Sequence, residues 1–118
     1  KNDVALGLAG VGTPESMALR KLLLEKGANI NYVALGLAGV GTPESMAMRE
    51  GFMKDDDVDK NYVASGLAGV LTKEAFDFRK KHFGKNPTLY AKSFQTDWTV
   101  LNGAVCRYGY EGNDVSLL

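Results

Sequence analysis

Short apolar stretches alternate along the chain with longer segments whose apolar residues recur at helical spacing. The stretch VALGLAG at residues 4–10 is long enough for about two helical turns. The segment that follows, ESMALRKLLLEKG at residues 15–27, carries apolar side chains at positions 17, 19, 22, 23 and 24. Apolar positions three and four residues apart form one face of a helix. The pattern therefore predicts a short first helix followed by a longer second helix.

This predicted helix pair is repeated. VALGLAGVGTPESMA occupies residues 4–18 and, without a change, residues 33–47, and a diverged copy, VASGLAGVLTKEAF, occupies residues 63–76. The copies are spaced by 29 and 30 residues, and a more distant unit begins near Thr99. Such periods are typical of solenoids built from helix pairs. We predict approximate units at 1–30, 31–60, 61–96 and 97–118, within a longer array whose flanking repeats would pack against them.

Local signals predict where the helices begin and end. Thr13 is a predicted N-cap, Pro14 suits the first helical position, and Gly27 can end the second helix in a left-handed conformation. For the first helices, the predicted caps are Asn2 or Asp3, Asn31, Asn61 and Asp97.

The third unit and the segment after it give two further expectations. In KEAFDFRKKHFG (residues 73–84) we expect buried phenylalanines and solvated cations, Arg79 among them. Residues 86–97 (NPTLYAKSFQTD) are expected to form the longest irregular segment, because Pro87 interrupts a helix.

Two segments resemble the ankyrin repeat. LLLEKGANIN (residues 22–31) is similar to the end of that family's second helix, L-L-x-x-G-A-D-V-N, and TVLNGAV (residues 99–105) is similar to its first-helix motif, T-P-L-H-x-A-A. The resemblance implies an all-α fold, an α-solenoid of stacked helix-turn-helix repeats. It also implies a scaffold that binds another protein through its concave surface. By this resemblance the contact residues are Tyr32, Tyr62, Gln95, Asp97 and Trp98. Packing between repeats is an equally good interpretation of the aromatic rings.

The composition argues against several other classes of function. Lys plus Arg equals Asp plus Glu at 14 each, which argues against a basic nucleic-acid or membrane-binding surface. Cys106 is the only cysteine, so we expect no internal disulfide and an intracellular, cytoplasmic protein. No run approaches the roughly 18–20 apolar residues that span a bilayer. We expect no enzyme activity, no catalytic residues, no metal and no cofactor.

The glycine-rich GLAGVGT stretch offers an alternative from another class. It lacks the lysine of a phosphate-binding P-loop, and its glycines are in the wrong order for a dinucleotide fold. VALGLAGVG and ANINYVAL could nevertheless be the strands of a βαβ enzyme fragment that binds a nucleotide or dinucleotide. We favour packing and turn roles for these glycines, since the third copy has Leu71 in place of Gly12 and Gly41.

Other candidate chemistry is weaker. Asp55, Asp57 and Asp59 have the spacing of a calcium loop, but Lys60 replaces the glycine of the sharp turn. His82 lies in a basic run without a second ligand nearby, and no base is spaced to activate Cys106. We interpret all of these residues as structural or solvated.

Overall fold

The computed structural model describes residues 1–94, and this part of the chain is entirely helical. Gln95, Asp97, Trp98, Cys106 and the unit predicted from residue 97 lie outside the described residues. The helices are α1 (Asn2–Gly7), α2 (Pro14–Glu25), α3 (Ile30–Leu35), α4 (Pro43–Met53), α5 (Lys60–Ser65), α6 (Lys73–Phe83) and α7 (Pro87–Lys92). The predicted all-α class is therefore confirmed for residues 1–94.

Short and long helices alternate and occupy different positions in the molecule. The short helices form a row in which α1 contacts α3, α3 contacts α5, and α5 contacts α7. Each of the long helices α2, α4 and α6 contacts the short helix that follows it in the chain. In chain order, the pairs predicted from the sequence correspond to α1 with α2, α3 with α4, and α5 with α6.

The predicted starts of the long helices are confirmed. Thr13 caps α2 by accepting a hydrogen bond from the backbone N–H of Ser16, and Thr42 and Thr72 cap α4 and α6 in the same way. Pro14 lies at the first helical position, where its missing N–H leaves no partner unpaired. Gly27 follows α2 with a φ of 89°, the left-handed conformation expected of it.

The predicted caps of α3 and α5 are wrong by two residues. Asn29 and Asp59 are the N-caps, and their side chains accept from the backbone N–H groups of Asn31 and Asn61. The Asn31 Oδ1 instead accepts a hydrogen bond of 2.7 Å from the backbone N–H of Asp59, the N-cap of α5. This asparagine in α3 is therefore tied to the start of the next short helix, a role that local sequence signals do not reveal.

The expectation of an irregular segment after residue 86 is also wrong. Residues 87–92 form α7, with Asn86 as its N-cap and Pro87 in its first turn. Proline is tolerated there because the first N–H groups of a helix have no intrahelical partner. α7 packs against α5 and extends the row of short helices beyond the third pair.

Glycine allows the short helices to approach closely. An added Cβ at Gly36 would overlap the backbone carbonyl of Ala5, and one at Gly66 would overlap that of Ala34. Ala5 and Ala34 are themselves almost completely buried. The packing role predicted for the glycines of the repeated stretch is confirmed at Gly36 and Gly66.

The core lies between successive pairs and repeats its residues. Val33 and Val63 are 0% and 1% exposed, and they occupy equivalent positions in α3 and α5. Their counterpart in the first unit, Val4, is 48% exposed. The same valine is therefore a core residue in α3 and α5 and a surface residue in α1.

Substituting this valine in two units should separate packing from helix propensity. We expect Val33→Ala to lower the free energy of unfolding by about 2 kcal/mol, from lost burial and the cavity left behind. The matched change Val4→Ala should alter it by less than about 0.5 kcal/mol. Urea denaturation followed by circular dichroism measures both, and equal effects would contradict burial between units as the cause.

A second pair of variants tests the close helix approach. Gly36→Ala should destabilise the fold by roughly 1–3 kcal/mol, because the new methyl group collides with backbone. Gly51→Ala should stabilise it by about 0.5–1 kcal/mol, because a Cβ at Gly51 in α4 meets open space and alanine favours the helix. We expect the two variants to shift the thermal midpoint in opposite directions. An upward shift in both would show that helix propensity, and not the steric collision at Gly36, determines the change in stability.

Candidate interaction surface

Three arginines occupy the same position in the three long helices. Arg20, Arg49 and Arg79 are spaced by 29 and 30 residues, and each is at most 1% exposed. The expectation that Arg79 is solvated is therefore wrong. Full burial of arginine is uncommon and requires hydrogen-bond partners for the guanidinium group.

Backbone carbonyl groups are the main partners of these guanidinium groups. Arg20 donates to the carbonyl oxygens of Val11 at 2.8 Å and Leu8 at 2.6 Å, and to that of Gly36 in the next unit at 3.0 Å. Arg49 repeats the arrangement with the carbonyls of Val40, Leu37 and Gly66. Each arginine thus joins its own unit to the short helix of the following one.

The position of these carbonyls explains why a cation is held there. Leu8, Gly36 and Gly66 are the C-cap residues of α1, α3 and α5. The last carbonyls of a helix have no intrahelical donor and carry the negative end of the helix dipole. A planar guanidinium carries its N–H donors on separate nitrogen atoms and so reaches carbonyls from two helix ends, whereas the three donors of an ammonium group radiate from one nitrogen.

The arginines interact unfavourably with the low-dielectric interior and with each other. Burial lowers the pKa of Arg20, and burial together with repulsion from Arg79 and Arg20 lowers the pKa of Arg49 to about 9. Arg49 still keeps its charge at neutral pH, because this value lies about two units above 7. The favourable interactions with the carbonyl oxygens must therefore offset a substantial desolvation cost.

The third unit satisfies its arginine more completely. The Nε atoms of Arg20 and Arg49 are buried without a hydrogen-bond partner, whereas Arg79 Nε donates to the Ser93 Oγ at 3.0 Å. Ser93 follows α7 where Gly36 and Gly66 follow α3 and α5. A serine cannot stand at Gly36 or Gly66, since its Cβ would collide with the preceding short helix.

Two of the predicted contact residues are brought together by the row of short helices. The rings of Tyr32 in α3 and Tyr62 in α5 meet edge to face, with centroids 6.0 Å apart and planes at 78°. Both side chains are half-buried. Edge-to-face geometry is the preferred arrangement of aromatic pairs, so each ring orients the other. The other predicted contacts, Gln95, Asp97 and Trp98, lie outside residues 1–94.

Residues one turn further along the short helices flank the tyrosines. We call this side, on which Leu6 is exposed and the other residues are half-buried, the first-helix face, and its members are Leu6, Tyr32, Leu35, Tyr62 and Ser65. At its α7 end lies an open recess of about 440 Å³, lined by Leu35, Asp59, Asn61, Tyr62, Ser65 and Lys92. The Lys92 Nζ donates to the Asn61 Oδ1 at 2.9 Å, which fixes a cation at the edge of the recess.

The glycine-rich loops use their backbone donors within the chain. The N–H of Gly10 donates to the Ala38 carbonyl at 2.7 Å, and that of Gly39 donates to the Ala68 carbonyl at 2.8 Å. Both glycines have φ values near 80°, a conformation that favours glycine. The segments that a βαβ unit would need as strands form α1 and α3. The structural role predicted for these glycines is confirmed at Gly10 and Gly39.

The remaining candidates have structural surroundings. The Asp55 Oδ1 accepts from the backbone N–H of Asp57, and Asp59 caps α5. The His82 Nε2 lies 3.0 Å from the Glu50 Oε1, which links α6 to α4. Within residues 1–94 there is no group of three or more His, Cys, Asp or Glu side chains that could hold a metal ion.

The sequence contains a signal for the burial of the three arginines that the helical pattern alone does not reveal. Each arginine follows three residues after a methionine or phenylalanine on the apolar side of its helix, and it recurs at the repeat spacing. Repetition of a charged residue on an apolar face indicates a shared buried partner. The partner itself comes from the next unit and cannot be identified from local sequence.

Comparisons with known proteins supply no relative. The chain matches no protein-family model, no curated protein and no solved structure. None of the helices in residues 1–94 has the length and apolar character that crossing a bilayer requires.

Replacing Arg49 should have a large effect because it removes a joint between units. We expect Arg49→Lys to lower the free energy of unfolding by about 3–5 kcal/mol, since one ammonium group cannot satisfy three carbonyls at separate positions. The exposed cation Lys21 is the control, and Lys21→Met should cost less than about 1 kcal/mol. Guanidinium denaturation measures both changes in the free energy of unfolding. A small loss of stability in Arg49→Lys would contradict the role of the Arg49 guanidinium group in joining the two short helices.

Proposed function

We propose that the chain is a short α-solenoid of ankyrin-like helix pairs that binds another protein through its first-helix face. Binding would centre on Tyr32 and Tyr62 and would extend along α3 and α5. By the same resemblance, Gln95, Asp97 and Trp98 would also contact the partner. This is a scaffold function in an intracellular protein, without catalysis and without a cofactor.

The observation that carries the proposal is the contact between two tyrosine rings on the first-helix face. Tyr32 and Tyr62 occupy the same position in successive short helices, and their rings contact each other. Tyrosine presents a large apolar ring and a hydroxyl group with few rotatable bonds, and it is enriched at sites that dominate binding energy. Two such rings side by side provide the centre of a protein interface.

Rigidity of the underlying helices supports the same conclusion. α3 and α5 pack on each other through Gly66 and Ala34, and the guanidinium group of Arg49 links their C-terminal ends. Binding by a preformed surface avoids much of the entropy cost of ordering loops and side chains. The helix pairs therefore act as a support that fixes the spacing of the tyrosines.

The backbone of the glycine-rich loops supports this function over a nucleotide site. A phosphate cradle presents free N–H groups to its ligand. The N–H groups of Ala9, Gly10 and Val11 instead donate to carbonyls of the chain, as does that of Gly39. A phosphate group would have to displace these hydrogen bonds.

Site-specific photo-crosslinking tests the proposal. A benzophenone amino acid is introduced at Tyr32, at Tyr62 or, as a control, at the exposed Leu22 in α2. We expect one protein to crosslink at Tyr32 and Tyr62 and not at Leu22, with loss of the adduct when unlabelled chain is added in excess.

Once the crosslinked partner has been identified and purified, calorimetry measures how much each tyrosine contributes to the binding affinity. Tyr32→Ala and Tyr62→Ala should each weaken binding about tenfold or more, whereas Leu22→Ala should leave it unchanged. Both tyrosine variants must retain the helical circular dichroism of the parent chain. An adduct of equal strength at Leu22, or unaltered binding by both tyrosine variants, would contradict the proposal.

A further inference from the structure

The long helices form a second surface, in which one interface between units differs from the other. Between α2 and α4, the Lys21 Nζ lies 2.9 Å from the Glu44 Oε1 and bridges the two helices. One unit further on, the equivalent positions are Glu50 in α4 and Glu74 in α6. Two carboxylates therefore stand where the first interface has an ammonium and a carboxylate.

An open groove accompanies this change of charge. It has a volume of about 300 Å³ and is lined by Met46, Ala47, Glu50, Glu74, Asp77, Phe78 and Lys81. Met46 and Phe78 form its floor and are 8% and 4% exposed. We call it the α4–α6 groove. Its volume is at the lower end of the range of roughly 300–1,000 Å³ for ligand pockets, which suits a single side chain.

The two glutamates differ in their partners within the chain. Glu50 contacts the His82 Nε2 at 3.0 Å and the Lys81 Nζ at 3.4 Å, both on the α6 side. Partial burial would raise the pKa of Glu50, but these hydrogen bonds and charges outweigh it and lower the pKa, so the carboxylate is ionised at neutral pH. Glu74 makes no ion pair with any residue in the described part of the chain.

The chemistry of the groove matches one side chain best. Lysine places an aliphatic stem on apolar surface while its ammonium group remains beside carboxylates and water. Met46, Ala47 and Phe78 offer the apolar surface, and Glu50 and Glu74 offer the carboxylates. The chain itself demonstrates this arrangement in the preceding interface, where Lys21 reaches Glu44 across the same pair of positions.

We propose that the α4–α6 groove binds a lysine side chain of a partner protein, with its ammonium group between Glu50 and Glu74, where it would pair with Glu74 as Lys21 pairs with Glu44. The groove lies on the long helices and does not use the first-helix face. The two proposals are therefore independent, and either can fail without the other.

NMR titration with a short peptide tests the groove directly. The probe is an acetylated, amidated pentapeptide with lysine at its centre and glycine and serine around it. The matched control has norleucine at the centre, which keeps the apolar stem and removes the ammonium group. We expect the lysine peptide to shift the Met46 methyl and the Ala47 amide saturably, and more weakly at high salt.

Matched variants identify the carboxylate that binds the ammonium group of the peptide. Glu74→Gln should weaken binding about two- to fivefold, the range of an exposed ion pair. Glu15 occupies the same position at the start of α2, so Glu15→Gln removes the same helix-terminal charge without altering the groove. Glu15→Gln should leave binding unchanged.

Glu50→Lys places an ammonium group inside the groove and should abolish binding of the peptide. If this variant does not fold, the comparison of Glu74→Gln with Glu15→Gln decides the question alone. The proposal is overturned by equal shifts from the norleucine peptide, by equal losses in the two glutamine variants, or by Met46 shifts that depend on protein concentration alone. The last result would assign the groove to a second copy of the chain.

Discussion

The buried arginine of each long helix is the interaction on which the rest of the structure depends. Its guanidinium group donates to carbonyls at the C-terminal ends of two successive short helices. The Leu8 and Leu37 carbonyls also accept a backbone N–H, so the arginine is a second donor there, and it is a donor to the Gly36 and Gly66 carbonyls as well. Helices of 6 residues are marginal by themselves, so tertiary contacts must fix their ends. Because each arginine donates to two successive short helices, its hydrogen bonds are complete only when the next short helix is in place.

This joint constrains the residues around it. The short helices must lie close enough for one guanidinium group to reach both carbonyls, and glycine at Gly36 and Gly66 permits that distance. The same requirement leaves the Nε atoms of Arg20 and Arg49 without a partner, whereas Ser93 supplies one for Arg79. Close packing and complete hydrogen bonding thus compete at the first two joints, and packing prevails.

Strict repetition inside the molecule contrasts with variation on its surfaces. The valines, arginines and capping threonines recur because each interface between units imposes the same geometry. Positions outside the core vary between units: Asp3 stands where the later units have Tyr32 and Tyr62, and Glu50 stands where α2 has Lys21. The proposed partner contacts lie at such positions, on the short helices and on the long helices.

The sequence alone determined the local features of this protein. Helix pairs, their period and the threonine caps follow from apolar spacing and from side chains that bond to backbone within three or four residues, and the structure agrees. The helix after Asn86 was missed because proline is tolerated in a first turn as well as in loops. Only the tertiary structure decided that Arg79 is buried, that Asn31 bonds to the N-cap of the next short helix and that the rings of Tyr32 and Tyr62 meet. Each of these depends on groups some 14 to 30 residues away, which no local pattern in the chain specifies.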